Sequence, residues 1–442
     1  KKERKKEDIL QMRTLSYWLT VVMIGLMPWM DMVHLPGMGT LSRVVGLGTA
    51  AFWLFVVVFT GKVRKPVPFH LLALLFLFWT TATIFWSVGV DRTWDRAFIY
   101  IRMVGMALMI WDLYDAKSMV QTALQAYVIG AYVHAGSVLY NYWLGAESVY
   151  GRYAAAGNIA NTTAYVLGIA LPVAWYLSTV ARPTATTDIW ERIRIYLWQT
   201  VNLAYVPIAL TAIALSATRF GIIMAIPACL YGFYGLLRTH RAFGVVSLLA
   251  LVGGIVFLMT FVPDSSFQRL AETGESIRSG DLTGRVELWR IAQEAWEGRP
   301  VIGIGSDAFP SFNRSGRAAH NTYLVILVET GVIGLVCFLT LLVATLVTAW
   351  RLSFRDSLFW LTLFAVWGVS SLVLNLGHDK SFWLFLSLVV AQGRIDQVQR
   401  TTATVTEAAG ETLSNPMRAG RLLPSPATAV ATEIRLTPNT HL

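Results

Sequence analysis

The chain has 442 residues, of which 55% are hydrophobic and only 14% charged, and its mean hydropathy is +0.55. Soluble domains carry about 25% charged residues, so a soluble globular protein is excluded. The net charge of +10 is read first as cytoplasmic positive charge that orients membrane segments. Cys229 and Cys337, the two cysteines, each lie inside an apolar run, which argues against a disulfide framework or a cysteine metal centre.

The apolar material falls into segments of roughly twenty residues, the length that crosses a bilayer as helix. None shows the alternation of a barrel strand, so the expected fold is an all-α polytopic bundle. About twelve spans are expected, near 16–35, 41–60, 69–90, 97–114, 117–144, 159–181, 195–215, 219–237, 243–262, 320–350, 357–376 and 381–396. The opening "KKERKKED" is too charged, and the first span too long, for a cleaved signal peptide. The organisation is then nine spans over 1–262, a long polar loop at 263–319, three spans over 320–396, and a disordered tail at 397–442. Seventeen Trp and sixteen Tyr suit two interfacial belts. No internal repeat is evident, which weighs against an inverted-repeat transporter.

Lys and Arg in the short loops set the orientation. "KKERKK", "GKVRKPVPF", "RPTATTDIWERIR", "RTHRAF" and "WRLSFRDS" all fall on one side, the cytoplasmic one, which places loop 263–319 outside. Seven of the eight lysines lie on the cytoplasmic side and only Lys380 does not. The outer side nevertheless holds Arg92, Arg96, Arg102, Arg152, Arg219, Arg269, Arg278, Arg285, Arg290, Arg299, Arg314 and Arg317. Topology alone predicts few basic residues there, and a solvated face would mix Lys with Arg. Arginine's planar fork binds phosphate bidentately and keeps its charge in any environment. The set points either to a phosphate-bearing, lipid-linked ligand or to pairing with local acids and lipid headgroups.

Four stretches have the residues for chemistry. "YGRYAAAGNIANTTAY" at 150–165 delivers Arg152 with several Asn and Thr to the outer end of the sixth span. "LSATRFGI" at 215–222 puts Arg219 in a very short outer turn, too close to the membrane to be an ordinary solvated charge. "DLTGRVELWRIAQEAWEGRP" at 281–300 repeats Val286, Trp289, Ala292 and Trp296 at helical spacing. This amphipathic helix either packs on the bundle or rests on the membrane surface over a lipid-binding cavity. Arg285 sits in its first turn, where free N–H groups favour an anion. "VIGIGSDAF" at 301–309 is a glycine-rich turn, read as backbone flexibility. The fourth stretch, "PSFNRSGRAAHNTYLVILVETGVIG", brings Arg314, Arg317 and His320 to the head of the tenth span, capped by Asn321 or Thr322. His320 is read either as an interfacial polar residue or as a base, since an unperturbed imidazole titrates near ~6.5. "LGHDKS" at 376–381 reads as an internally paired Asp379–Lys380 loop. There is no Asp-x-Asp, His-x-x-x-His or nucleotide phosphate loop, so neither metal nor nucleotide cofactor is expected.

Taken together, "SATR" at 216–219, "GRVELW" at 284–289, "GIGSDAF" at 303–309 and "AHNTYLVILVETGVIG" at 319–334 resemble the O-antigen ligase and polymerase superfamily of bacterial inner-membrane proteins. The Asn-Pro-Asn-like turn often found there is replaced by Asn158 and Asn161 flanking "IA". The resemblance implies a fold like that of polyprenyl-dependent (GT-C-like) membrane glycosyltransferases. It implies transfer of a glycan from undecaprenyl pyrophosphate at the periplasmic face of a Gram-negative inner membrane, without cofactor. His320 would be the general base; Arg219, Arg285 and Arg152 would bind the pyrophosphate; Arg314, Arg317, Arg290 and Arg102 are secondary candidates. The acceptor implied first is lipid A–core oligosaccharide. A glycan repeat (polymerase) and a protein hydroxyl (O-oligosaccharyltransferase) are the alternatives within the superfamily, and a lipid-glycan transporter is the non-enzyme alternative. Membrane lipids are the other partners; no nucleic acid is expected.

Overall fold

The computed structural model describes residues 2–148, 151–181, 186–237 and 285–414. The expected ninth span at 243–262 and the first part of the polar loop lie outside the described residues. Long apolar runs closed by polar or Gly/Pro punctuation make helices α1 (Lys2–Leu26), α2 (Leu41–Thr60), α3 (Pro68–Ala82), α4 (Val90–Leu113), α5 (Lys117–Trp143), α6 (Ala160–Val180), α7 (Ile189–Leu215) and α8 (Arg219–Leu237). They are followed by α9 (Arg285–Gly298), α10 (Thr322–Trp350), α11 (Phe354–Ser371) and α12 (Lys380–Ser414). A two-residue hairpin, β1 (His34–Leu35) with β2 (Gly39–Thr40), separates α1 from α2, and Thr40 caps α2 by accepting from the Arg43 amide. Among the described residues six helices are long and apolar enough to cross a membrane: Lys6–Trp29, Leu41–Thr60, Pro68–Trp86, Ala160–Val180, Ile189–Leu215 and Thr322–Trp350. The chain is an all-helical, multi-pass membrane protein.

The chain divides into two compact units, Lys1–Gly393 and Arg394–Leu442. In the first, α6 is the most enclosed element and packs on α5, α7, α8 and α11. The described part of the second is helical to Ser414, where the sequence suggests a tail without structure from 397. Thr401, Thr402 and Thr404 there return their hydroxyls to carbonyls four residues back.

Buried acids clamp the end of the bundle where α4 and α10 finish. Asp112 accepts from the Trp53 indole at 3.0 Å and the Arg64 amide at 2.8 Å, and pairs with Arg13 at 3.1 Å. Asp356 pairs with Lys117 at 2.5 Å and accepts from the Tyr176 hydroxyl at 2.7 Å. Both acids are about 1% exposed, so Arg13 and Lys117 each have a desolvated acid partner.

The opposite end carries the four motif stretches, and a break in α10 organises it. Gly331 has φ +69 inside the helix, and a Cβ there would run into the Val301 carbonyl oxygen. Only glycine fits both demands. The freed backbone groups are repaired by the segment that follows α9. Val332 N donates to Pro300 O at 3.0 Å, while Ile304 N donates to Val328 O at 3.1 Å and Gly305 N to Glu329 O at 2.9 Å. Exchange of this kind is how non-helical backbone is tolerated near hydrocarbon. After the break α10 has 19 residues, 332–350, or ~28 Å of helix, close to the ~30 Å hydrocarbon thickness.

Candidate functional site

The site is built at the motif-bearing end from two groups of residues. In the first, Arg152 donates from Nε to Ser216 O at 3.1 Å and from Nη2 to Asn161 Oδ1 at 2.7 Å. Tyr153 N donates to Leu215 O at 3.0 Å. The strand-like run after α5 is thus laid against the α7–α8 turn and the head of α6. Ser216 and Thr218 share a hydroxyl contact at 2.8 Å, and Arg219 begins α8, half-buried. Arg152 and Arg219, 67 residues apart in sequence, are brought to one turn.

The second group surrounds His320. One face of α9, Leu288, Ala292 and Ala295, is buried with Ile304, Phe309, Ala319, Val325 and Val328. Trp289 and Trp296 pack at its edge, whereas Val286 is 48% exposed. The apolar stripe is therefore rotated from the sequence reading, because the loop of 304–309 contributes the facing residues. Burial of Leu288 and Phe309 is worth ~1.5–3 kcal/mol each, so α9 is a packed element. The Trp289 indole donates to Ala319 O at 2.8 Å, fixing the chain immediately before His320. Asn321 then caps α10 by accepting from Leu324 N at 3.1 Å.

His320 itself has φ +52. A left-handed backbone at a side chain of this size costs of order 1–3 kcal/mol and persists only where the surroundings over-determine it. Among the described residues the other non-glycine positive φ values are at Ala217 (+45) and Asp307 (+59). One such residue falls in each of "SATR", "GIGSDAF" and "AHNTY". Burial, then the charges of Arg285 and Arg317, hold the His320 imidazole below its ordinary titration range. Arg285 is likewise pushed down by burial and by Arg317. Neither arginine enters any ion pair among the described residues. The contrast with Arg13 and Lys117 at the other end is physical. There the positive charge is neutralised by buried acid; here half-buried Arg285 and exposed Arg317 act together on His320 and would be stabilised by an anion.

The two groups are joined through the segment after α11. Thr322 Oγ1 donates to Leu374 O and accepts from Leu376 N, both at 2.8 Å. Asp379 accepts from the Tyr165 hydroxyl of α6 at 2.7 Å and from Phe382 N at 2.8 Å. The expected Asp379–Lys380 pair is not formed: Tyr165 supplies a closer, geometrically fixed donor, and Lys380 Nζ points to Met30 Sδ at 3.0 Å. The His378 ring nitrogen Nδ1 is enclosed without a hydrogen-bond partner.

The remaining arginines divide. Arg290 is paired on the exposed face of α9 with Glu287 at 2.7 Å and with Glu294, so its charge is met on its own helix and is directed to solvent. Arg314 is exposed. Arg92 and Arg96 both reach Asp307, at 3.3 and 2.6 Å, and Asp307 N donates to Glu329 Oε2 at 2.7 Å. This buried knot ties α4, the 301–309 loop and α10 together. Sequence reading missed Asp307 and Glu329, because their partners lie 211 and 22 residues away; the sole local signal was two acids beside flexible glycines. Among the described residues no group of His, Cys, Asp or Glu is arranged to hold a metal ion.

An all-helical, multi-pass membrane protein whose arginine–histidine cluster at one end makes no ion pair among the described residues is the class these features define. The family model described as O-antigen ligase matches residues 203–339, from within α7 to within α10. That match contains the Arg219 turn, α9, the glycine-rich loop and His320, and supports membership of the O-antigen ligase superfamily. No curated protein matches the chain.

Proposed function

We propose that the protein is an O-antigen ligase of a Gram-negative inner membrane. It joins an O-antigen polysaccharide, carried on undecaprenyl pyrophosphate, to lipid A–core oligosaccharide at the periplasmic face. The observation that carries this reading is the meeting of His320 with Arg285 and Arg317, with no ion pair among the described residues, inside the family-matched segment. A bundle of about twelve spans, resembling polyprenyl-dependent glycosyltransferases, would hold this end at the membrane surface.

Pyrophosphate is already a good leaving group, so the protein's task is to neutralise its charge and position the acceptor. Arg285 and Arg219 bind the pyrophosphate, and Arg152 and Arg317 support them. His320, held neutral by burial and its arginine neighbours, takes the proton of the acceptor hydroxyl. The acceptor oxygen bonds to the anomeric carbon as the carbon–oxygen bond to pyrophosphate breaks, inverting the configuration. The lipid pyrophosphate departs with the bonding electrons, which the arginines stabilise. A positioned base of this kind is worth typically ~10²–10⁴ in rate.

Purified protein in liposomes, given the lipid-linked O-antigen, provides the test. Lipid A–core, a second glycan repeat and a protein hydroxyl are offered as separate acceptors. A lipopolysaccharide ladder with lipid A–core alone is expected. Elongated lipid-linked glycan would make the protein a polymerase, and glycosylated protein an O-oligosaccharyltransferase. Movement of the lipid-linked glycan across the membrane without any transfer would make it a transporter.

A further inference from the structure

A base works only where its ring nitrogen is held at the proton it takes, and a misplacement of about 1 Å costs up to ~10²-fold in rate. His320 stands at a point of the chain that does not hold itself. Its φ of +52 is a left-handed backbone that a side chain of this size keeps only under external constraint. It precedes the cap Asn321, so it lies outside the hydrogen-bonded turns of α10. Whatever fixes its direction acts on the residues to either side.

Two side chains do so. Before His320, the Trp289 indole of α9 donates to the carbonyl of buried Ala319 at 2.8 Å. After it, the Thr322 hydroxyl donates to Leu374 O and accepts from Leu376 N, each at 2.8 Å. Thr322, Leu374 and Leu376 are all buried, so a bond lost here leaves its partner unpaired. The segment that Thr322 grips is irregular but tied to the bundle. The Trp383 indole of α12 donates to Gly377 O at 3.0 Å, and Asp379 accepts from Tyr165 of α6. Gly377 lies against α10: a Cβ there would stand 3.0 Å from Ile326 Cδ1 and 3.5 Å from Thr322 Cγ2. Thr330 and Thr345 of the same helix instead return their hydroxyls to carbonyls four residues back. Thr322 is spent on another part of the chain, two residues from the base.

We propose that Thr322 and Trp289 are positioning residues for glycan transfer, clamping the strained His320 backbone between α9 and the segment that joins α11 to α12. The assignment rests on reading His320 as the base and adds what aims it.

The test reads transfer and the state of His320 separately, with the full chain in liposomes. Thr322→Val keeps the shape and removes the hydroxyl; Trp289→Phe removes the indole N–H. Each should lower kcat for transfer to lipid A–core by roughly 10–10²-fold and leave the KM for lipid-linked donor unchanged. Thr322→Ser should restore most of the rate. Thr345→Val, which loses only a bond within its own helix, should leave it unchanged. In a His320→Ala background, Thr322→Val should lower the residual transfer little further, because both act through one group. Without any transfer, diethyl pyrocarbonate should modify half-buried His320 severalfold faster in Thr322→Val and Trp289→Phe than in wild type. Peptide mass spectrometry counts the product, with exposed His34 as internal standard. Wild-type kcat and wild-type modification of His320 in both variants overturn the proposal. So does a Thr322→Val loss undiminished in the His320→Ala background, since the hydroxyl would then serve the fold and not the base. Faster modification of His320 in both variants, with full transfer by His320→Ala, would overturn the reading of His320 as base and leave the clamp standing. A wild type that uses a different acceptor overturns the ligase reading, and the same ratios on that acceptor then decide the clamp.

Discussion

Replacing Asp307 with alanine tests the knot that holds the loop between α9 and His320. The Arg96 side chain is 9% exposed and loses the only carboxylate within 4.0 Å of it among the described residues. Removing one partner of a buried pair costs ~3–5 kcal/mol; the nearby Glu329 carboxylate, tied to the Asp307 amide, brings the expectation to the low end, about 3. Arg92 is 48% exposed on its side chain, so losing its pairing adds only ~0–1 kcal/mol. Asp307 has φ +59, a conformation that Asp and Asn adopt more readily than alanine, adding ~1 kcal/mol. The total for Asp307→Ala is ~4 kcal/mol on these terms. Asp307→Asn keeps the backbone preference and one acceptor oxygen and should cost roughly half as much. Arg92→Gln should cost less than ~1 kcal/mol. Thermal unfolding in nanodiscs, with limited proteolysis between 299 and 320 as a local probe, should rank the three in that order. An Asp307→Ala shift no larger than that of Arg92→Gln would refute the reasoning, since it would mean that Arg96 is not desolvated.

Other expectations follow from the same geometry. His320 must be neutral to accept a proton, and its titration is lowered by burial and by Arg285 and Arg317. Transfer should therefore be flat through neutral pH and fall only as pH drops through a midpoint below ~6.5. Arg317→Gln should move that acid limb upward in a kcat/KM–pH profile; an unmoved limb would separate Arg317 from His320. Arg285→Gln should lower turnover by roughly 10²-fold, with Arg285→Lys only partly restoring it because the fork is lost; steady-state rates with saturating donor would show this. Arg290→Gln, on the solvent face of α9 and paired with its own helix, should leave transfer within about twofold. Gly331→Ala forces a Cβ into the Val301 carbonyl and should undock the loop, seen as new protease cleavage near 300.

The helices were legible in the sequence because long apolar runs and their punctuation are local. Expected and observed bounds coincide for the span at 41–60 and differ by one residue at α5 and α6. The Asn321 cap was legible for the same reason. The phase of the α9 stripe was not, since Ile304 and Phe309, which select the buried face, come later in the chain. The cluster of Arg285, Arg317 and His320 could be suspected from residue types and spacing. What holds it could not: the Gly331 break, the Asp307 knot and the Tyr165–Asp379 bond are long-range pairings, the last spanning 214 residues. Asp379 was given to Lys380 because the sequence shows only neighbours, and the fold supplied a better donor.

The most direct measurement is single-turnover transfer by the full chain in liposomes, comparing wild type with His320→Ala and His320→Gln, with binding of the lipid-linked donor measured in parallel. The account predicts that both variants bind donor as wild type does and lose transfer by ~10²–10⁴-fold. Transfer at the wild-type rate by either variant would contradict it, because the proton of the acceptor would then be leaving by a route that does not pass through His320.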